Sequence, residues 1–283
     1  MNKLAIVGDT CLDLTYEMAE KYDFSLISYY IQMDDRHLVD QIDIQSRTFY
    51  QRMENHEVLS TGIPPIQAVI DRLDELKAHG YSQALLICAS EKLTGMRQLY
   101  EVVKSDYEGM ELYIYDSNQV ASSAGLLLLY AAQMNREGRN VHEIIEELNR
   151  VKDQVHIYAL FRTLKYVIKG GRLNKYVGAL GTLLNIQPIL RDNNGEVGII
   201  DKVRGKKKSF IALVEHLKSS LKDSKRYHLA IFSGNNDEEI TMLKEELKEL
   251  IENAEFYIET ELSPVLGVHA GPQSMGVSYL KLD

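Results

Sequence analysis

The sequence predicts an α/β protein, with an N-terminal three-layer domain around a parallel sheet and a C-terminal α+β domain with a mixed sheet. Short apolar runs alternate with amphipathic runs early in the chain, which is typical of parallel strands joined by crossover helices. A hairpin pattern at Asn193, Asn194 and Gly195 then indicates antiparallel pairing later in the chain. The length of 283 residues also exceeds what one hydrophobic core usually organises, which favours two domains.

The N-terminal half is predicted to repeat a unit of strand, loop and helix. The opening run KLAIV predicts a buried strand, and the polar GDT that follows is a loop before a helix capped by Thr15. Pro64 and Pro65 stand where an amphipathic helix over 66–77 begins, and Gly80 ends it. The later elements of this half are the strand ALLICAS, a helix over 96–103, the strand ELYIYDS, a long helix over 126–136 and a helix over 141–151.

The pattern changes after residue 154, so the predicted domains are residues 1–154 and 155–283. The second domain begins with HIYALF and the hairpin IQPILRDNNGEVGIIDKV. A helix over 209–221, the strand YHLAIFSG, a helix over 237–252 and the strand EFYIETE follow. In the segment VLGVHAGP, a strand-like apolar run leads to His269 and a turn that contains Gly271.

Composition excludes several classes of function. The net charge of -9 disfavours a nucleic-acid partner, because neutralising phosphates requires a surplus of Lys and Arg. Cys11 and Cys88 have no metal-ligand spacing to histidines and are expected to be reduced thiols. The N-terminus lacks the apolar length of a secretory signal, and the run AGLLLLYAAQM is too short to span a bilayer. We therefore expect a cytoplasmic protein with no membrane-spanning segment.

No standard catalytic motif is present, since the sequence contains no GxGxxG, Walker loop, GxSxG or HExxH pattern. We expect no cofactor and no metal site. Asp9 and Asp13 follow the first strand and could be paired carboxylates for acid and base chemistry or metal ligands. An aspartate after a strand more often caps the following turn, and we favour that interpretation.

Hydroxyl groups stand before two predicted helices. Ser60 and Thr61 precede the proline-started helix, and Thr94 precedes the helix over 96–103. Each hydroxyl could cap its helix or share the free helix amides with an anion, and taken alone capping is the more common role. Ser117 lies in a third such loop, at the end of a predicted strand.

Two segments in the second half carry more specific signals. In KGGRL, paired glycines permit unusual backbone angles, so Arg172 is expected to project from a tight turn. Its guanidinium could bind a carboxylate or phosphate, or equally bridge two chain segments. His269 is placed among glycines at a predicted strand end, where it could be structural or could meet a ligand.

Taken in order, these segments resemble the DegV family, whose members bind fatty acids and in many bacteria serve as the acyl-binding subunit of a fatty-acid kinase. The resemblance runs from end to end through GDTCLDL, STGIPP, SEKLTG, LKYVIKGGRL and VLGVHAGPQSMG. The chain departs from the family pattern at several positions, among them Glu91, Lys92, Ala121 and Ala270, which bear on the shape of the expected head-group pocket, and Gln273.

The resemblance implies a DegV-like fold with a lipid cleft between the two domains. It implies that Thr61, Thr94 and His269 hold the carboxylate of a long-chain fatty acid such as palmitate, stearate or oleate. Arg172 would lie near the cleft mouth where a kinase docks, and Ser60, Ser117 and Gly271 complete the expected site. The resemblance implies a lipid-binding protein without catalytic activity. The helix from Leu126 and the run 177–186 are candidate walls of the tunnel.

Two alternatives remain open at this point. The first is a hydrolase or acyltransferase that uses Ser117 or Cys11 with His269, although no nucleophile, base and orienting acid can be recognised together in the sequence. The second is a carrier of a different carboxylated lipid, which the presence of Lys92 and the other pocket substitutions suggests.

Overall fold

The structure is a computed structural model that describes residues 3–173 and 186–283. Its strands are β1 (Leu4–Asp9), β2 (Ser25–Ile27), β3 (Tyr30–Met33), β4 (Arg36–Val39), β5 (Leu59–Gly62), β6 (Gln83–Cys88), β7 (Glu111–Asp116), β8 (Val155–Leu160), β9 (Ile186–Asn193), β10 (Glu196–Arg204), β11 (Tyr227–Gly234), β12 (Phe256–Glu261) and β13 (Ser274–Lys281).

The α-helices of the same residues are α1 (Tyr16–Tyr22), α2 (Ser46–Arg52), α3 (Ile66–Ala78), α4 (Met96–Asp106), α5 (Ala121–Arg136), α6 (Val141–Val151), α7 (Lys165–Lys169), α8 (Lys206–Leu221), α9 (Asp237–Glu246), α10 (Lys248–Asn253) and α11 (Pro264–Ala270). None of these described helices is long and apolar enough to cross a membrane.

The predicted fold class is confirmed. A parallel sheet with strand order β2-β1-β6-β7 forms the N-terminal part, and a mixed sheet with order β10-β9-β8-β13-β11-β12 forms the C-terminal part. The predicted hairpin is also confirmed, because β9 and β10 pair antiparallel from Asn193 opposite Glu196. A small antiparallel sheet with order β4-β3-β5 was not predicted.

Helix α5 lies between the two large sheets. It contacts β1 of the parallel sheet and β8, β11 and β13 of the mixed sheet. Contact on both sides explains why this segment is apolar all round, a pattern typical of a fully buried helix. One core cluster therefore joins residues of both sheets, such as Val7 and Leu280, through Leu128 of the helix. Sheet membership changes between β7 and β8, and the domain boundary at residue 154 stays a prediction.

Two local predictions were wrong, and both matter for the site. The segment with His269 is not a strand end: it is helix α11, which begins with Pro264 after Ser263. Its residues are buried on nearly every side, so the sequence shows no helical periodicity. Ser60 and Thr61 lie in strand β5 instead of in a loop at a helix start. β5 pairs with β3, so that Thr61 stands opposite Ile31.

Helix ends differ by a few residues from those expected. Helix α5 begins at Ala121, five residues before the predicted start, and α8 begins at Lys206 instead of residue 209. The helix predicted over 237–252 is divided at Leu247, which ends α9 and precedes α10. These differences do not alter the order of the elements.

Candidate functional site

A cavity with an open mouth lies where the N-terminal loops meet one face of the mixed sheet and helix α11. Its empty volume is about 870 Å³, counted together with its open mouth. Most of the wall is apolar, and its principal side chains are Val120, Ile157, Ala159, Phe161, Val167, Leu190, Val197, Phe232, Leu262, Val265 and Leu266.

Strand alternation explains this apolar wall. Ile157 and Ala159 of β8 line the cavity, while Tyr158 between them packs into a separate core cluster on the other face. The same alternation places Leu190 of β9 at the cavity and Ile189 in the opposite cluster. Because successive side chains of a strand point to opposite faces, the mixed sheet contributes one face to the cavity and the other to its own core.

Two residues that are far apart in sequence meet at one end of the cavity. Thr61 Oγ1 of β5 lies 2.9 Å from His269 Nε2 of α11, and both residues line the cavity wall. This contact joins the N-terminal and C-terminal parts of the chain. The sequence predicted both residues for the site, and the structure brings them into direct hydrogen-bond contact.

Thr94 belongs to the same polar end. Its hydroxyl lies 2.6 Å from the hydroxyl of Tyr29 and accepts a hydrogen bond of 3.0 Å from the amide of Met96. Thr94 therefore satisfies the first amide of α4 and also lines the cavity, while its role in binding an anion stays a prediction. Tyr29 was not predicted, although it follows β2 at the carboxyl end of a parallel strand, where ligand sites are common.

Arg172 bridges the two parts of the chain beside this polar end. Its guanidinium donates to the carbonyl of Gly170 and, at 3.2 Å, to the carbonyl of Leu93 in the N-terminal part. Of the two roles considered from sequence, the structure therefore shows that Arg172 bridges two chain segments. The same residue also lines the cavity.

His269 is held as a neutral imidazole. Burial, and secondarily the positive charge of Arg172, lower the pKa of His269 to about 3. Its Nδ1 is buried without a hydrogen-bond partner. A Cβ atom on Gly170 would lie only 2.3 Å from this Nδ1, so the second half of the chain uses glycine here to let its backbone approach the ring.

The polar end is also the end that opens to the surface. One outer chamber is lined by Tyr29, Thr61, Lys92, Thr94 and Arg172, among other residues. Another reaches the Thr61 and His269 pair from the side of α7 and is lined by Lys165, Tyr166 and Lys169. A carboxylate at this end would therefore lie close to solvent, while a hydrocarbon chain could extend along the apolar wall.

The other predicted site residues are less directly placed. The Ser60 hydroxyl donates to Gln32 at 3.2 Å, and Ser60 lines the outer chamber beside α7 instead of the apolar cavity. Ser117 is fully buried, and its hydroxyl is engaged with the backbone of Gln119. Gly271 ends α11 with a φ of 77°, and a Cβ atom there would press on Tyr166.

Only part of the two segments predicted as tunnel walls can be placed at the cavity. Helix α5 contributes its first residue, Ala121, and the preceding Val120, whereas Leu126 lies in the shared core. Of the run 177–186, residues 177–185 lie outside the described part of the chain. The wall that can be described comes mainly from β8, β9, β11 and α11.

Departures from the family pattern have local explanations. Ala121 and Ala270 lie in the cavity wall, which makes it less polar than hydroxyl residues would. Lys92 Nζ donates to the carbonyl of Asn194 at the hairpin tip, 2.6 Å away. Glu91 pairs with Arg97 at 2.8 Å. Gln273 adopts a φ of 58° after α11.

Within residues 3–173 and 186–283, no group of His, Cys, Asp or Glu side chains could hold a metal ion. Cys11 lines the cavity, and burial raises the pKa of its thiol well above the ordinary value. The described site thus offers hydroxyl, imidazole and guanidinium donors at one end of an apolar space.

Fold and site together define a class of two-sheet α/β proteins with an apolar cavity whose polar end opens to the surface. The family model described as "Uncharacterised protein, DegV family" matches residues 3–282. A DegV domain-containing protein of Clostridium acetobutylicum is 32% identical over 282 residues, which cover 99% of this chain and 100% of that protein. This chain therefore belongs to the DegV family.

Solved structures share the fold over nearly the whole chain. A DegV lipid binding protein from Thermotoga maritima matches with a TM-score of 0.87 and 25% identity, covering 99% of each chain. A stearic acid-binding protein from Eubacterium ventriosum matches with a TM-score of 0.88 and 22% identity, covering 99% of this chain and 98% of the other. The second of these likenesses concerns the fold alone.

Proposed function

We propose that this chain binds a long-chain fatty acid, with the carboxylate at the polar end of the cavity and the hydrocarbon along the apolar wall. The observation that carries the proposal is the meeting of Thr61, His269 and Arg172 at one end of a cavity whose described wall is mostly apolar. The lipid and stearic acid named for two solved relatives support the same chemistry.

The carboxylate is stabilised by donors from both parts of the chain. A buried carboxylate without hydrogen bonds is costly, whereas hydroxyl and guanidinium donors can satisfy it. Thr61 and Thr94 provide hydroxyl groups, and Arg172 provides a charged donor. His269 contributes as a neutral ring, since its pKa of about 3 keeps it uncharged at ordinary pH.

The hydrocarbon supplies most of the affinity. Burying about 14 methylene groups at roughly 0.8 kcal/mol each gives about 11 kcal/mol. Ordering the ligand and losing its free motion subtract several kcal/mol from this sum. Enough remains for the ligand to stay bound during purification, which makes copurification the natural first test.

We further propose that the bound carboxylate is presented to a separate fatty-acid kinase and that the chain itself is not an enzyme and uses no cofactor. The outward opening beside Thr61, Lys92 and Arg172 supports this role, because a partner could reach the carboxylate there. The Ser117 hydroxyl is committed to local backbone contacts, and the raised pKa of Cys11 keeps its thiol protonated. Neither is arranged as a nucleophile activated by His269.

The first experiment is to denature the purified protein gently and identify the released lipid by mass spectrometry. We expect about one long-chain fatty acid per chain. A different carboxylated lipid would support the second alternative, and protein that carries no acyl chain and binds none when offered stearate would contradict the proposal.

Replacing His269 with Ala, or Thr61 with Val, should then weaken binding of a fluorescent fatty acid by about tenfold or more, as expected for lost hydrogen bonds to a charged group. Equilibrium titration measures the effect. Ser60→Ala is the matched control, because its hydroxyl donates to Gln32 on the neighbouring strand. Equal losses in all three variants would show that the contact between Thr61 and His269 is not the head-group site.

A further inference from the structure

The aspartates of the segment GDTCLDL have no role in the proposed head-group site, yet they are buried. Asp9 and Asp13 lie on either side of a short turn after β1, and Asp40 follows β4. We call Asp9, Asp13 and Asp40 the aspartate cluster. Each of the three is at most 1% exposed.

Asp9 plays the local role predicted for it. Its Oδ1 accepts a hydrogen bond of 2.8 Å from the amide of Cys11 and so caps the turn, while its Oδ2 has no partner. Cys11 itself lines the lipid cavity. The aspartate cluster therefore lies directly behind one part of the cavity wall.

Asp13 reaches across the chain. Its Oδ2 accepts a hydrogen bond of 2.7 Å from the Thr260 hydroxyl, and its Oδ1 accepts one of 2.9 Å from the amide of Ser263. The Ser263 hydroxyl in turn donates to the carbonyl of Thr10 at 2.9 Å. Ser263 is the residue that precedes α11, so these bonds attach the start of that helix to the N-terminal part.

Asp40 faces the same helix start. It lies against the hydroxyl of Thr10 and the amide of Val265, and neither carboxyl oxygen makes a hydrogen bond of ordinary geometry. Val265 is in the first turn of α11 and lines the cavity. Asp13 thus binds the residue that precedes α11, and Asp40 lies against the first turn of the helix whose last turn carries His269.

We propose that Asp13 and Asp40 are positioning residues for His269, and that loss of protons from the aspartate cluster loosens α11 and speeds exchange of the bound lipid. The proposal rests on the proposed function for its lipid readout. It explains why acidic side chains occupy a buried boundary at which hydrogen bonds to α11 keep Thr61 and His269 together.

The charge state of the cluster supports this role. Burial raises the pKa of Asp9 and of Asp40 to about 8, and that of Asp13 to about 7. The titratable groups whose pKa values respond to the charges of the cluster are Cys11, Tyr29, Tyr50, Cys88 and Tyr100. The charge of Arg172 also acts on Cys11, and the charge of Glu261 also acts on Tyr50. Near neutral pH the cluster therefore retains protons that exposed carboxyls would have lost.

The direction of the pH effect follows from these values. An opened boundary would expose the carboxyls to water, where the pKa of an aspartate is ordinary, near 3.8. The closed form binds more protons, so it is favoured most below the ordinary aspartate pKa near 3.8 and loses this advantage progressively as pH rises from there through 7 to 8. His269 stays neutral as pH rises through 7 to 8, because its pKa is about 3.

The first test is the rate at which stearate passes from the loaded protein to excess serum albumin. In the wild type we expect the rate to rise by about tenfold between about pH 6 and about pH 9, as the cluster ionises. Asp40→Asn has the same shape and no charge, so its rate should rise less than that of the wild type, while Asp9 and Asp13 still ionise. Asp35→Asn, at an exposed position on the preceding turn, is the matched control and should behave as the wild type.

The second test does not require lipid binding. Hydrogen exchange of the α11 amides in the ligand-free protein, corrected for the intrinsic effect of pH, should show protection that falls with pH in the wild type and is steadier in Asp40→Asn. If that variant fails to fold, the pH dependence of hydrogen exchange in the wild type tests the proposal without it. Protection and release that do not change with pH would overturn the proposal, whereas altered protection in a chain that binds no stearate would overturn only the proposed function.

Discussion

His228 lies in the core between the rings of Tyr130 and Phe256, and its Nδ1 has no hydrogen-bond partner. Burial lowers the pKa of His228 to about 4. In the unfolded chain the ring takes up a proton near its ordinary pKa, 6.5, so the contribution of this residue to stability is lost as pH falls from there through 4.

Replacing His228 with Leu should remove this acid sensitivity. Between about pH 7 and about pH 4, the wild type should lose roughly 3 kcal/mol more free energy of unfolding than the variant. Urea unfolding at both pH values measures the difference. His37→Leu, at an exposed position, is the control, and an equal acid loss in wild type and His228→Leu would contradict the prediction.

The sequence predicted some residues of the candidate site and could not predict others, and the reason is physical. Thr61, Thr94, Arg172 and His269 stand in short segments with unusual composition, and all four line the cavity. The function of Asp13 could not be predicted, because its partner Thr260 is 247 positions away. Local spacing indicates a cap, whereas a contact of this kind appears only after folding.

Helix α5 has no room for a side chain at one position on its surface. Gly125 lies against the turn before α1, and a Cβ atom there would be 2.5 Å from the carbonyl oxygen of Leu12. A backbone atom cannot rotate away as a side chain can. Glycine is therefore required at this position of the helix, despite its poor intrinsic helix propensity.

Gly125→Ala should consequently destabilise the protein. Alanine gains about 1 kcal/mol of helix propensity, but overpacking against fixed backbone costs about 1–3 kcal/mol, so we expect a net loss of up to roughly 2 kcal/mol. Thermal unfolding measures it. Ser219→Ala, at an exposed position in α8, gives the propensity gain without a clash, and a stabilised Gly125→Ala would show that α5 can shift.

Elements also differ in how well the sequence predicts them. The parallel strands and α6 agree with the predicted elements, because their apolar patterns are long and regular. Helix α11 was predicted as a strand, because a short run that is buried all round has no readable period. Strand β5, with only four residues, depends on pairing with β3, and no local signal indicates such a pairing.

Over the whole molecule, the shared core predicts a single cooperative unfolding transition. Residues of both sheets pack in one cluster around α5, so neither part can lose its structure without exposing that helix. Differential scanning calorimetry of the full chain should show one transition, and a fragment of residues 1–154 should aggregate. Two separated transitions, or a well-folded fragment, would instead establish residues 1–154 and 155–283 as independent domains.

The overall architecture could be predicted because alternating strands and helices, followed by a hairpin, leave few possible arrangements. The joining of the two parts could not be predicted in the same way. It depends on contacts such as the one between Ser122 and Ser278, 156 positions apart, and on the buried bonds to α11. Sequence patterns describe each sheet, whereas the packing of one against the other is decided by shape.

The position of α5 also sets a limit on how the cavity could adapt to the fatty acids proposed as its ligands. A single helix with side chains is about 10–12 Å across, and here it acts as a rigid spacer between the sheets. Their separation is therefore constant whatever the cavity holds. A bulkier or longer tail of the proposed ligand would have to extend along the apolar wall or towards the open polar end, because widening the gap would break the shared core.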